Sequence, residues 1–133
     1  MISLAGSLTQ LEAVVKERGA GAYVVTASAD GHPHVTYAPV RWEGGGFAAE
    51  VGTRTALNAR GNSTVTLLFP VRSPDDYSLI VDGSAAVDPG SQRLFLTPTR
   101  AVLHRPGPPS DPASSCGADC VPLFDAPSAT GTG

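Results

Sequence analysis

Residues 22–42 read AYVVTASADGHPHVTYAPVRW. Runs rich in β-branched and aromatic residues stand on both sides of Asp30-Gly31, and an Asp-Gly pair in that position is a strong signal for a tight hairpin turn. The sequence therefore predicts two antiparallel strands, one over 22–28 and one over about 34–42, which meet at this turn.

The chain on either side of this hairpin predicts further short elements. Apolar residues at helical spacing predict a helix over 7–18, and Thr53 opens a second, shorter helix over 53–60. Four more strands are predicted, over 47–51, 64–69, 77–87 and 93–105. Six short strands at even spacing favour a barrel or a sandwich over βαβ units. Gly83 and Pro98 within strands suggest a bulge or, for the proline, an edge strand.

We divide the chain into a barrel domain over 1–105 and a C-terminal tail over 106–133. Proline, glycine, serine and alanine dominate the tail, and no apolar periodicity continues there. We expect the tail to be extended or disordered, except that the patch 120–124 could dock on the barrel. Deletion of the chain after Arg105 is therefore expected to be tolerated.

Composition limits the classes of function. The net charge of −3 argues against a nucleic-acid partner, because such proteins carry basic surfaces. No apolar run approaches the roughly 20 residues of a membrane span, and the N-terminus lacks the pattern of a secretory signal. We expect a cytoplasmic protein with no membrane partner. Two cysteines, Cys116 and Cys120, cannot form a disulfide framework for a chain of this length.

The start of the second helix is a candidate anion site. Backbone N–H groups at a helix start attract anions, and Thr53, Arg54 and Thr55 add two hydroxyls and a guanidinium. Arg41 on a neighbouring strand could supply a second cation. The same residues also fit a plain helix cap and a solvated arginine.

Two histidines near the hairpin turn have a spacing that also allows a metal pair. His32 and His34 lie two residues apart, so a strand would place both on one face. The sequence offers no third ligand, and we interpret the pair as a polar exit from the turn, with no metal site.

Several short motifs, in this order, resemble one known superfamily, that of the pyridoxamine 5'-phosphate oxidase-like, flavin- or deazaflavin-binding split barrels. They are Tyr23-Val24-Val25-Thr26, Asp30-Gly31-His32-Pro33, Pro39-Val40, Gly46-Phe47, Thr53-Arg54-Thr55-Ala56-Leu57-Asn58, Val65-Thr66-Leu67-Leu68 and Ile80-Val81-Asp82-Gly83-Ser84-Ala85. The resemblance covers about residues 7–105. It implies an all-β fold, a six-stranded antiparallel FMN-binding split barrel with an N-terminal helix and one short internal helix.

The resemblance also implies a cofactor site, with FMN or the deazaflavin F420 as the bound group. It assigns Thr53, Arg54 and Thr55 to the phosphate and gives Arg41 a secondary cationic role. The residues expected to line the ring or its side chain are Thr36, Tyr37 and Ala38. Such a cofactor carries the hydride chemistry, so no catalytic side chain is required. Members hold the cofactor between two protomers, which implies a homodimer.

This sequence departs from the superfamily's pattern at points that bear on activity. Thr55 stands where many FMN-binding members have lysine, Thr36 stands where the true oxidase has arginine, and the basic C-terminal substrate motif is missing. We therefore do not expect pyridoxamine phosphate oxidase activity. The expected function is flavin- or F420-dependent oxidoreduction of an unidentified small molecule. The alternative is a non-catalytic dimeric module that binds a cofactor or haem.

Overall fold

The computed structural model describes residues 4–106 and 118–126, which contain two helices and seven strands. In chain order the elements are α1 (Leu4–Arg18), β1 (Gly21–Ala27), β2 (Pro33–Glu43), β3 (Gly46–Glu50), α2 (Thr53–Gly61), β4 (Thr64–Phe69), β5 (Ser78–Val87), β6 (Arg93–Pro106) and β7 (Ala118–Asp125). No helix in the described ranges combines the length and apolarity needed to cross a bilayer.

Six of the strands close into an antiparallel barrel, which confirms the predicted fold class. Their order is β3-β2-β1-β4-β5-β6, and β3 pairs again with β6 to complete the ring. The β1–β2 hairpin turns at Gly31, whose φ of 91° is a conformation that glycine adopts without strain. Around the turn, the backbone of Ser28 exchanges hydrogen bonds with Gly31 and His32.

The barrel interior is filled by the inward side chains of alternating strand positions. On β2, Ala38 and Val40 are buried, whereas Tyr37, Pro39 and Arg41 point outward. The largest fully buried side chains include Phe47, Phe69, Leu11, Leu67, Leu79, Leu94 and Leu96. Leu11 belongs to α1, so this helix contributes to the same core.

Gly83 sits at an irregularity between β5 and β6, as the sequence predicts. The strand register shifts between Asp82 and Gly83, and Gly83 lies opposite Pro98. A Cβ atom at Gly83 would come within 2.4 Å of the carbonyl oxygen of Thr97. Glycine is therefore required here by the close approach of β6.

Strand β7 lies within the predicted tail and differs from our expectation for that region. It pairs with residues 100–106 of β6, on the edge of β6 that β3 occupies over residues 93–96. Phe124 of β7 is 4% exposed and belongs to the core. Deletion of the chain after Arg105 would remove this core side chain, so the structure favours a destabilising effect over the tolerance expected from the sequence. The placement of the domain boundary stays a prediction.

The structure describes one of the two cysteines of the predicted tail and the whole of its predicted docking patch. Cys120 is an exposed free thiol on β7, opposite His104 of β6. Cys116 lies outside the described residues. The predicted docking patch 120–124 lies within β7, which confirms that this patch contacts the barrel.

Candidate functional site

The start of α2 keeps backbone N–H groups that no cap residue occupies. Gly52 is the N-cap and has no side chain, so it forms no side-chain cap hydrogen bond. The first backbone bond of the helix runs from the N–H of Ala56 to the carbonyl of Gly52 at 3.0 Å. The N–H groups of the three preceding residues, 53–55, have no partner within the helix and remain available to water or an anion.

Of the three residues assigned to a phosphate, Arg54 is the one whose side chain is open to solvent and unpaired. It is exposed, and no ion pair or hydrogen bond engages it among residues 4–106 and 118–126. It lines a cavity of about 470 Å³ at the turn end of the β1–β2 hairpin. The other residues that line this cavity are Ser28, Asp30, His32, Pro33, His34 and Asn58.

The two threonines that flank Arg54 are engaged by the chain itself. The hydroxyl of Thr53 accepts a hydrogen bond of 2.7 Å from the side-chain amide of Gln92. The side chain of Thr55 is 1% exposed, and its hydroxyl lies 3.3 Å from the hydroxyl of Thr36 on β2. The Thr55 hydroxyl thus faces the barrel, and only its backbone N–H lies at the open helix start.

The residues assigned to the cofactor ring do not share one surface. Thr36 and Ala38 point to the inner side of β2, where Thr36 meets α2 and Ala38 is buried. Tyr37 points outward, is 60% exposed and packs edge-on against Tyr23 at a ring separation of 5.1 Å. Because neighbours on a strand face opposite sides, these three residues cannot all contact one side of a single ligand.

Arg41 lies on the outward face with Tyr37, not in the cavity that Arg54 lines. Its guanidinium is 3.9 Å from the carboxylate of Glu43, which also receives two bonds of 2.7 Å from Arg93. Arg41, Pro39 and Glu50 line a smaller cavity of about 230 Å³. The structure therefore separates the two arginines that the sequence analysis considered together.

Asn58 fixes α2 against the barrel. Its side chain is buried, and its amide nitrogen donates a 3.1 Å bond to the hydroxyl of buried Thr26 on β1. Asn58 stands four residues after Arg54 on α2, and both line the same cavity. This bond therefore sets the position of the helix face that carries Arg54.

His32 and His34 share a cavity with Arg54, which their spacing in the sequence did not predict. We interpreted the two histidines only as a polar exit from the turn. The signal that could have placed His34 in the cavity is that it lies on the same face of β2 as Thr36. No group of three His, Cys, Asp or Glu side chains in the described part of the chain is arranged to hold a metal ion.

Comparison with known sequences finds uncharacterized relatives over part of the chain. No protein-family model matches the chain. The uncharacterized protein Mb0449c of Mycobacterium bovis is 43% identical over 84 residues, a match that covers 58% of this chain. The match spans 58% of the relative's own length.

Comparison with solved structures identifies the architecture. A Clostridium acetobutylicum protein related to general stress protein 26, of the pyridoxinephosphate oxidase family, matches with a TM-score of 0.60 at 14% identity, over 92% of this chain and 97% of that one. A haem-binding protein from Mycobacterium smegmatis matches with a TM-score of 0.56 at 10% identity, over 95% and 62%. This chain shares its fold, a closed six-stranded antiparallel barrel, with these solved structures.

Proposed function

We propose that this protein binds a phosphate-bearing flavin-type cofactor, FMN or F420, and acts as an oxidoreductase on a small molecule. The observation that carries this proposal is the position of Arg54, an unpaired and exposed guanidinium between the uncapped start of α2 and a cavity of about 470 Å³. A planar guanidinium beside free backbone N–H groups suits a phosphate group.

The residues present fit the phosphate end of such a cofactor. Arg54 would hold the phosphate oxygens, with the backbone N–H groups of residues 53–55 beside it, while the bond from Gln92 orients the Thr53 hydroxyl. The side chains of Thr36 and Thr55 would not contact the phosphate, but their paired hydroxyls would hold the start of α2 against β2 and so position Arg54. The bound ring would supply the hydride chemistry, and the chain would orient it and exclude water.

The outward face of the β1–β2 hairpin supports the proposal of a homodimer. Tyr23, Val35 and Tyr37 expose 38%, 56% and 60% of their surface there. Apolar side chains clustered on one exposed face are typical of an interaction site, and a second copy of the chain would cover them. In such a dimer, Tyr37 and Arg41 would face the partner protomer, on the opposite side of β2 from Thr36.

The remaining expectations stay proposals as well. The reducible or oxidisable small-molecule substrate is unidentified, and a cytoplasmic location is still an expectation from the sequence. The alternative function is a carrier or sensor with the same fold that binds haem or another cofactor without catalysis. The visible spectrum of the purified protein separates these cases, because flavin absorbs at about 450 nm, F420 absorbs at about 420 nm, and haem has a Soret band.

The test of the site compares FMN with riboflavin, which lacks the phosphate. Arg54→Ala should weaken FMN binding about tenfold, because it removes a charge-assisted contact to phosphate, and should leave riboflavin binding unchanged. Lys16→Ala is the matched control, since it removes a surface cation on α1 that pairs with Glu12. Unchanged FMN affinity in Arg54→Ala, or a protein that binds neither flavin nor F420 on titration, would refute the proposal.

A further inference from the structure

A group of four charged side chains lies on the outer face of β2, β3 and β6, away from the cavity that Arg54 lines. Its members are two arginines and two glutamates, Arg41, Glu43, Glu50 and Arg93. Two positive and two negative charges give the group no net charge. The charges are nevertheless paired unevenly, because one glutamate lies within ion-pair distance of both arginines and the other pairs with neither.

Arg93 does not pair with the glutamate that lies opposite it in the sheet. Glu50 is the cross-strand neighbour of Arg93 in the β3–β6 ladder. The guanidinium of Arg93 instead donates bonds of 2.7 Å to both carboxylate oxygens of Glu43. Opposite charges at directly opposed strand positions ordinarily stabilise a sheet by pairing. Glu50 therefore loses the partner that the register offers, and no other cation pairs with it in the described part of the chain.

The guanidinium of Arg41 has only a distant partner. It is 58% exposed and lies 3.9 Å from the Glu43 carboxylate, whose two oxygens already accept the Arg93 bonds. Arg41 is opposite Ala48 in the β2–β3 ladder, and Glu50 follows two positions later on the same face. Such diagonal neighbours are about 7–8 Å apart, which long side chains can span. No ion pair joins Arg41 to Glu50 within residues 4–106 and 118–126.

Arg41 and Glu50 line a shared cavity of about 230 Å³, and the ring of Pro39 gives this cavity an apolar wall. Glu50 also lines a neighbouring cavity of about 440 Å³ with Val51, Ser91, Gln92 and Arg93. Sites for drug-sized molecules usually have about 300–1,000 Å³, so the smaller cavity suits a ligand of only a few heavy atoms. It presents one positive and one negative group that do not neutralise each other directly.

We propose that this cavity binds a small zwitterion, an amino acid with one ammonium and one carboxylate group. The ammonium would bind the carboxylate of Glu50. The carboxylate of the ligand would bind the guanidinium of Arg41, whose planar donors match a carboxylate. A ligand with a single charge would satisfy only one of these two groups. The inference does not depend on the proposed function, since neither FMN nor Arg54 takes part in it.

The probe is β-alanine, and the two comparison ligands are propylamine and propionate, which have similar length and each carry one of its two charges. NMR titration of isotope-labelled protein follows the backbone amide signals of residues 40–51. Because the charged groups of the cavity are exposed, we expect weak binding of β-alanine, with a Kd of about 1 mM. Each comparison ligand should bind about fivefold more weakly than β-alanine, because it lacks one of the two contacts.

Two variants each replace one charged group by a neutral amide. Glu50→Gln should weaken the binding of β-alanine and propylamine about fivefold and leave that of propionate unchanged. Arg41→Gln should weaken the binding of β-alanine and propionate and leave that of propylamine unchanged. Glu12→Gln is the matched control, because Glu12 pairs with Lys16 on α1 and should affect none of the three ligands. Unchanged binding of β-alanine in either cavity variant, or equal losses for all three ligands, would overturn the proposal.

A second copy of the chain is the other partner that could use these two charges. Arg41 would then pair with a carboxylate of that copy, and β-alanine would not bind. In that case Glu50→Gln and Arg41→Gln would each lower the mass of a dimer in light scattering, which would overturn the ligand site and assign the charges to contact between copies. Neither outcome changes the test of Arg54, because that test compares FMN with riboflavin.

Discussion

The hydroxyl groups of Thr36 and Thr55 lie 3.3 Å apart and join β2 to the first turn of α2. Both residues were expected to contact a cofactor directly. Instead Thr55 is almost fully buried, and the pair connects the strand to the helix that presents Arg54. We infer that the two threonines position the candidate phosphate site through contact with each other.

Replacing either threonine by valine should destabilise the protein by about 1 kcal/mol, because valine keeps the shape and leaves the remaining hydroxyl without its partner. The loss in free energy of unfolding should be smaller for the double variant Thr36→Val, Thr55→Val than the sum of the losses in the two single variants. Urea denaturation of the four proteins measures this coupling. Thr97→Val, at an exposed position of β6, serves as the control. Strictly additive losses would show that the two hydroxyls do not interact.

Strand β7 should be necessary for stability. Phe124→Ala removes a core ring and should lower the free energy of unfolding by about 3 kcal/mol. Val121→Ala on the same strand is the matched control, since Val121 is 39% exposed and should cost about 0.5 kcal/mol or less. Thermal or urea unfolding compares the two. Equal losses would mean that Phe124 does not belong to the core in solution.

Acid should remove the stabilisation that Asp76 provides. The hydrogen bond from Arg72 lowers the pKa of Asp76 from 3.8 to about 2, and bonds from the backbone and the charge of Arg18 act in the same direction. Because the pKa is lower in the folded state, this contribution is fully present above about pH 5 and is lost as the pH falls from about 4 to 2. The Arg18 side chain is only 5% exposed, so it depends on this partner.

Stability curves against pH check this prediction with Asp76→Asn. The variant should be less stable than the original protein near neutral pH, and the difference should shrink below about pH 4. Asp75→Asn is the matched control, because the neighbouring Asp75 carboxylate has none of these bonds within the described residues. If the difference in stability between the two proteins stays constant down to about pH 2, the ionised carboxylate of Asp76 is not its cause.

The outward face of the hairpin should hold two copies of the chain together. Tyr37→Glu places a charge in the exposed apolar cluster of Tyr23, Val35 and Tyr37, so it should convert a dimer into a monomer. Light scattering during size-exclusion chromatography measures the mass. Val71→Glu, at an exposed site between β4 and β5, should leave the mass unchanged. If the unsubstituted protein is itself a monomer, the proposal of a cofactor site between two protomers loses its basis.

Local signals predicted the barrel strands and both helices to within a few residues. The turn at Asp30-Gly31, the six-residue strand ending at Phe69 and the helix opening at Thr53 each depend on chemistry within a few neighbouring positions. The face of each β2 side chain also follows from strand alternation. That rule alone could have shown that Tyr37 does not share a surface with Thr36 and Ala38.

β7 had weaker local signals, because its segment contains a proline and little alternation, and its strand conformation depends on pairing with β6. The sequence by itself determined where both helices and the six barrel strands form, since their propensities and turn signals are local. Only the tertiary structure decided that Thr55 meets Thr36 and that Arg54 shares a cavity with His34. The two residues of each pair are about 20 positions apart, and their proximity depends on strand register, barrel closure and the way α2 packs against β1 and β5.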